Sequence, residues 1–197
     1  MLHLAVVFAL VALIPFEKDG KWGYQNNAGK VVIAPRYQIA REFSREGMAA
    51  VVDDEGWAYI DEAGRTVIRP LVLDNGPDYF RDGVARFSRN GKVGFFDARG
   101  KVVIQPVYAH AMPFSEGRAA VCEGCPEIEE GEHRSVKGGK WGFIDRRGEL
   151  VIPLRFSGAE NFENGRARVR TASNWHYIGR NGKIAPQNRP GGARTRK

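Results

Sequence analysis

The chain is poor in the residues on which most protein chemistry depends, with two cysteines and four histidines among 197 residues. Two cysteines allow one crosslink and exclude a scaffold held together by several disulfides. No metalloprotease HExxH, phosphate-binding P-loop, serine-nucleophile elbow or dinucleotide fingerprint occurs. The longest apolar run, Leu4 to Phe16, is too short to cross a bilayer as a helix. Charge of one sign is also scarce. The formal balance is +7, but the tail "QNRPGGARTRK" (187–197) supplies Arg189, Arg194, Arg196 and Lys197, leaving 26 cations against 23 acids elsewhere. A body that tracks nucleic acid needs a larger and clustered excess, so no specific nucleic-acid partner is expected. The tail reads as a basic flexible end.

What the chain has in abundance is glycine, 24 residues, and these recur in register. Anchors at Trp22, Trp57, Val93, Trp141 and Trp175 lie 35, 36, 48 and 34 residues apart. An aromatic stands two residues after each (Tyr24, Tyr59, Phe95, Phe143, Tyr177) and a glycine seven after (Gly29, Gly64, Gly100, Gly148, Gly182). A β-branched run follows, as in "VVI" (31–33), and then Pro35, Pro70, Pro106, Pro153 or Pro186. A near-constant period of this kind is the mark of repeat architecture.

Each phrase has the physics of a β-hairpin. In "WGFID" (141–145) the alternation sets Trp141, Phe143 and Asp145 on one face and Gly142 and Ile144 on the other, so both faces carry apolar groups. "DRRG" (145–148) has the Asp and Gly of a turn that returns the chain antiparallel. Asn26, Asp61 and Asp97 hold the same place, which makes these side chains turn formers. The proline has no N–H to give to a ladder. A second half follows, in which Phe43, Phe80, Phe114 and Phe162 precede Gly47, Gly83, Gly117 and Gly165 and then another strand. On this reading the Trp and Gly recur because every copy buries an aromatic and turns tightly, and Trp22, Trp57, Trp141 and Trp175 are structural positions with the five glycines.

"GKWGYQNNAGKVVIAPRY" (20–37) and "GKWGFIDRRGELVIP" (139–153) resemble the WG (KWG) repeat family, over roughly residues 13–186. The resemblance implies an all-β scaffold, common in bacteria, with no shared catalytic residues to carry over. The expected architecture is an array of about five three-stranded antiparallel β-meanders of some 35 residues each, either an open curved stack or propeller-like, monomeric, with no cofactor. Copies two, three and five depart at the dipeptide ("WA", "VG", "WH").

Residues 1–12 have no counterpart in the repeats. They form an apolar leader that reads as a shortened secretory signal, although no cation precedes the run and no clean cleavage motif follows it. Export to the envelope or periplasm is expected on this reading. In the alternative, cytoplasmic reading, Leu13 to Lys18 is simply the first strand. The one irregular interval contains an insertion at 122–138, "CEGCPEIEEGEHRSVKG", with both cysteines at a C-x-x-C spacing. A local Cys122–Cys125 disulfide suits an exported chain. The rivals are a redox pair, which wants a helix after the motif, and a zinc site using Cys122, Cys125 and His133 with distant His110 or His176. Glu127, Glu129, Glu130, Glu132 and His133 form a candidate interaction loop. The function expected is therefore a non-catalytic module binding a protein or a glycan, with a redox-active or zinc-binding protein as the alternative.

Overall fold

In a computed structural model, described for residues 12–73, 75–130, 133–136, 138–172 and 174–185, the chain is all β, with no helix among the described residues. Most of the leader, Pro186 and the basic tail lie outside the described residues. The described chain divides into two compact units, one running to Asp78 with Ala98–Lys101, the other comprising Tyr79–Asp97 and the residues from Val102 onward.

The first unit holds an antiparallel sheet of β1 (Ile14–Lys18), β2 (Lys21–Gln25) and β3 (Val31–Tyr37). A second sheet joins β4 (Ile39–Ala40), β5 (Ala49–Asp53), β6 (Gly56–Ile60) and β7 (Thr66–Ile68), and β8 (Val72–Leu73) pairs with β9 (Gly76–Pro77). In the second unit, β10 (Val84–Arg89), β11 (Lys92–Asp97) and β12 (Val102–Tyr108) form one sheet. The next joins β13 (His110–Ala111) and β14 (Arg118–Glu123) to β17 (Lys140–Asp145) and β18 (Leu150–Phe156), with the hairpin β15 (Glu127–Glu130) and β16 (His133–Val136) inserted between β14 and β17. The last sheet is β19 (Gly158–Glu163), β20 (Arg166–Thr171) and β21 (Asn174–Gly179). These are the expected meanders, with a short fourth strand added to two of them.

The hairpin turns are set by side-chain acceptors. Asn26 Oδ1 accepts from the N–H groups of Ala28 and Lys30, Asp61 Oδ1 from Ala63 and Arg65, and Asp145 Oδ1 from Arg147 and Glu149, all at 2.9–3.0 Å. The turn then closes on a left-handed glycine, as at Gly148 with φ 82°. That glycine has a second duty. A Cβ on Gly64 would stand 3.2 Å from Ile33, on Gly148 3.3 Å from Ile104, and on Gly182 3.1 Å from Ile152, each isoleucine belonging to the preceding copy. Turns thus pack on the strand of the copy before, and two arginines fasten them. Arg36 Nη2 donates to the Gly64 carbonyl, and Arg155 Nη2 to that of Gly182 at 2.8 Å. Acids in the second-half turns add a further tie, since Asp82 accepts from the Gly117 N–H at 2.6 Å and Glu116 from the Gly165 N–H at 2.9 Å.

The glycine of the WG dipeptide answers to a different constraint. Between the pairs Trp141↔Phe156 and Phe143↔Ile152 the β18 side of the ladder is longer, so the strand bulges at its proline. The bulge lies directly on the glycine. A Cβ on Gly142 would come within 2.5 Å of the Ile152 carbonyl oxygen and 2.9 Å of the Leu154 nitrogen, and Gly23 and Gly94 are equally crowded by their own bulges. Where alanine replaces the glycine, at Ala58, the third strand β7 stops at Ile68. Val93 shows that tryptophan is dispensable for the bulge, because Gly94 keeps it without an indole.

The core rings are the aromatics two residues after the anchor. Tyr24, Phe95 and Phe143 are fully buried, each meeting the second-half Phe of its own copy edge-on: Tyr24–Phe43 at 4.8 Å, Phe95–Phe114 at 4.9 Å and Phe143–Phe162 at 5.0 Å. The tryptophans of the copies differ in burial. Trp141 is 6% exposed, Trp22 and Trp57 are half-buried, and Trp175 is 38% exposed.

Candidate ligand cleft in the second unit

Cys122 and Cys125 are joined in a disulfide, and both are buried in the core cluster with Trp141, Phe143 and Phe162. Gly139 packs against both sulfurs, where a Cβ would collide with them. In this state neither cysteine offers a thiolate to a metal, and no group of three or more His, Cys, Asp or Glu side chains that could hold a metal ion occurs among the described residues. The two distant histidines are placed apart in use: His110 lies in β13, edge-on to Trp141 at 5.7 Å, whereas His176 lies in β21 on the face opposite Trp175.

The insertion is not an open loop. Glu127–Glu130 and His133–Val136 form a two-stranded ladder with Glu129 opposite Arg134 and Glu130 opposite His133. Glu132 lies outside the described residues. Of the insertion, Val136 reaches the feature that the sequence did not single out.

That feature is a cleft of about 350 Å³, lined by His110, Met112, Trp141, Ser157, Arg170 and Trp175 with Val136, Gly158 and Ala159. Its origin is visible in the strand register. In the fourth copy Trp141 faces Cys122 and Phe143 faces Ala120, small side chains that let both rings sink into the core. In the fifth copy the same places belong to Arg170, facing Trp175, and Arg168, facing Tyr177. The rings of this copy stay at the surface, Tyr177 at 47% exposure, whereas in the third copy Arg86 faces Phe95 and both are buried, with Arg86 Nη1 donating to the Ala111 carbonyl at 2.9 Å. The guanidinium carbons of Arg168 and Arg170 stand 4.9 and 5.9 Å from the Trp175 ring centroid, within cation–π range.

The two arginines differ in their partners. Arg168 Nη1 donates to the Glu160 carboxylate at 3.1 Å. Arg170 donates from Nε to Ser157 Oγ at 3.3 Å and from Nη2 to the Ser157 carbonyl at 3.2 Å, and meets no carboxylate among the described residues. Nearby, the Gly165 N–H and then Arg180 hold the Glu116 carboxyl below its ordinary range, so this acid stays ionised and committed to its tie. The signal for the cleft lay in the comparison of "GRAAVC" (117–122) with "GRARVR" (165–170), where alanine and cysteine become arginine.

A family model described as WG containing repeat matches residues 22–57, 57–92, 94–124 and 141–175. The chain belongs to the WG-repeat family. A search of curated proteins returns no match. Among solved structures, the chain is similar to one titled "Crystal structure of the eukaryotic initiation factor", at 11% identity and a TM-score of 0.41, over 89% of this chain and 52% of that one. The WG-repeat protein thus spans about half the length of that chain, and the likeness is too low to carry an argument. No helix among its described residues is long and apolar enough to cross a membrane.

Proposed function

We propose that this WG-repeat protein is a non-catalytic binding scaffold of the cell envelope, and that its protein or glycan ligand is seated in the cleft between the fourth and fifth copies. The observation that carries the reading is the exposed indole of Trp175 beside two guanidinium groups, at a position where the fourth copy buries its ring. Clefts of a few hundred Å³ that combine apolar and aromatic walls with a few convergent polar groups are the usual form of small-ligand sites. The fastened turns support it, because a rigid framework lets an exposed side chain be held in one place without an ordering cost on binding. The disulfide supports an exported chain, since such crosslinks persist in oxidising compartments. It speaks against the redox and zinc alternatives too: reactive thiols are accessible, whereas these sulfurs are buried against Gly139.

The reading is tested by screening the protein against arrays of glycans and peptides, with Trp175→Ala in parallel. Compounds captured by the wild type and lost by the variant are expected. If every captured compound binds the variant equally, the cleft is not the seat.

A further inference from the structure

The geometry points to a ligand class: we infer that the cleft receives an acidic pyranose, a hexuronate unit of a polysaccharide, with its carboxylate on Arg170 and its apolar ring face on Trp175. The inference rests on the cleft being the ligand seat, and it goes further by naming the charge and shape of what fits.

The charge argument comes from pairing. Arg168 is balanced by Glu160 and Arg180 by Glu116, which leaves Arg170 as the guanidinium on the cleft with no carboxylate among the described residues. Two of its nitrogens are held by Ser157, which fixes the plane of the group, and Nη1 has no hydrogen-bond partner among the described residues. A planar guanidinium fixed in this way matches a carboxylate better than an ammonium does, and a charge-assisted hydrogen bond to it is about twice as strong as a neutral one. One cation with no carboxylate partner among the described residues suits one anion per ligand unit. A nucleic-acid strand, with a phosphate at every step, would instead meet Glu160 and Glu163 beside the next arginine, where Arg166, Arg168 and Tyr177 line a second hollow.

The shape argument comes from the walls. Met112, Ala159 and the exposed Trp175 indole supply apolar wall, while Ser157 and His110 add polar side chains to the lining. A pyranose has this same division, with axial C–H groups on one face and hydroxyls around the rim. Gly158 keeps the floor open, because even a Cβ there would already touch Trp175 Cη2 at 3.4 Å. An extended peptide would be recognised by the edge of a strand through backbone pairing, and the cleft is instead built from side chains on sheet faces.

The test is calorimetric titration of the full chain with tetragalacturonate and with its fully methyl-esterified form. The ester keeps every ring and hydroxyl and removes only the charge, so the comparison needs no variant to fold. Esterification is expected to weaken binding about tenfold or more, the range of one charge-assisted hydrogen bond. Arg170→Gln should lose a similar factor for the acid and little for the ester, and high salt should erase much of the difference. If acid and ester bind equally and Trp175→Ala weakens both, the cleft is a ligand seat and the acidic class is wrong. If the acid binds with no dependence on Arg170 or Trp175, both the class and the seat are wrong. If neither compound binds, the hexuronate inference is overturned, and the seat stands or falls on the array comparison.

Discussion

The fourth and fifth copies of the repeat, neighbours in the second unit, share the anchor tryptophan, the following aromatic and the turn glycine, yet use them in opposite ways. In the fourth, Gly142 admits the proline bulge, Phe162 closes over Phe143, and Ala120 and Cys122 let the rings sink. In the fifth, His176 stands where glycine would, and Arg170 and Arg168 face Trp175 and Tyr177, whose rings are exposed. One motif therefore gives a core in one copy and a display surface in the next. The two copies differ at residues opposite the motif, Ala120 and Cys122 against Arg168 and Arg170, as well as within it, Gly142 against His176.

Truncating the indoles breaks the comparison most sharply. Trp141→Ala removes a buried ring and is expected to cost about 3–5 kcal/mol, whereas Trp175→Ala should cost less than about 1 kcal/mol, both read by urea unfolding. Equal losses would mean that the fifth copy buries its ring after all. Next comes the glycine. Gly142→Ala forces a Cβ onto the backbone of the bulge and should cost about 2–3 kcal/mol, as overpacking does. The reverse change in a copy whose short third strand has no bulge at its proline, Ala58→Gly, should stay within about 1 kcal/mol. A Gly142→Ala protein as stable as the wild type would show that the bulge does not need the glycine.

Smaller effects sharpen the account of how copies are fastened. Arg155→Ala removes the donor to the Gly182 carbonyl and should lower stability by about 1 kcal/mol, with faster amide exchange in β21 as the local sign. The smallest is a pH effect in the first unit. Two hydrogen bonds from Arg69, at 2.8 and 3.0 Å, hold the Asp53 carboxyl below its ordinary range. A depressed folded value means that this contribution is present above the ordinary aspartate pKa of about 3.9 and is lost as pH falls through the folded value. The pair is half-buried and still reached by solvent, so the amount is about 0.5 kcal/mol or less. Asp53→Asn should flatten that part of the acid limb, and an unchanged limb would remove the pair from the account.

Much of this fold was legible because its signals are local. Asn26, Asp61 and Asp145 declare their turns by residue type, and the β-branched runs declare their strands. The bulge was not legible, because it depends on how Pro153 and its neighbours pass over Gly142 from a partner strand, and the dipeptide suggested only close approach. The unequal burial of the tryptophans was not legible from the anchors alone, and the stretches facing Trp141 and Trp175, "GRAAVC" and "GRARVR", differ by two side chains. The cysteine pair followed from spacing, but the insertion's hairpin did not, since its charged run carries no apolar alternation. The cleft draws on six separate segments, none of which signals it alone.

The most direct test of the claim that the fifth copy displays what the fourth buries is the set of indole N–H signals in a ¹H–¹⁵N spectrum. The chain has four tryptophans, so four such signals report on four copies. Tetragalacturonate, or the best-captured compound from the array, is added stepwise. The account predicts that the Trp175 signal moves most, that of Trp141 at the cleft wall follows, and those of Trp22 and Trp57 stay in place. Movement confined to Trp22 or Trp57, or no movement at any indole, would contradict it.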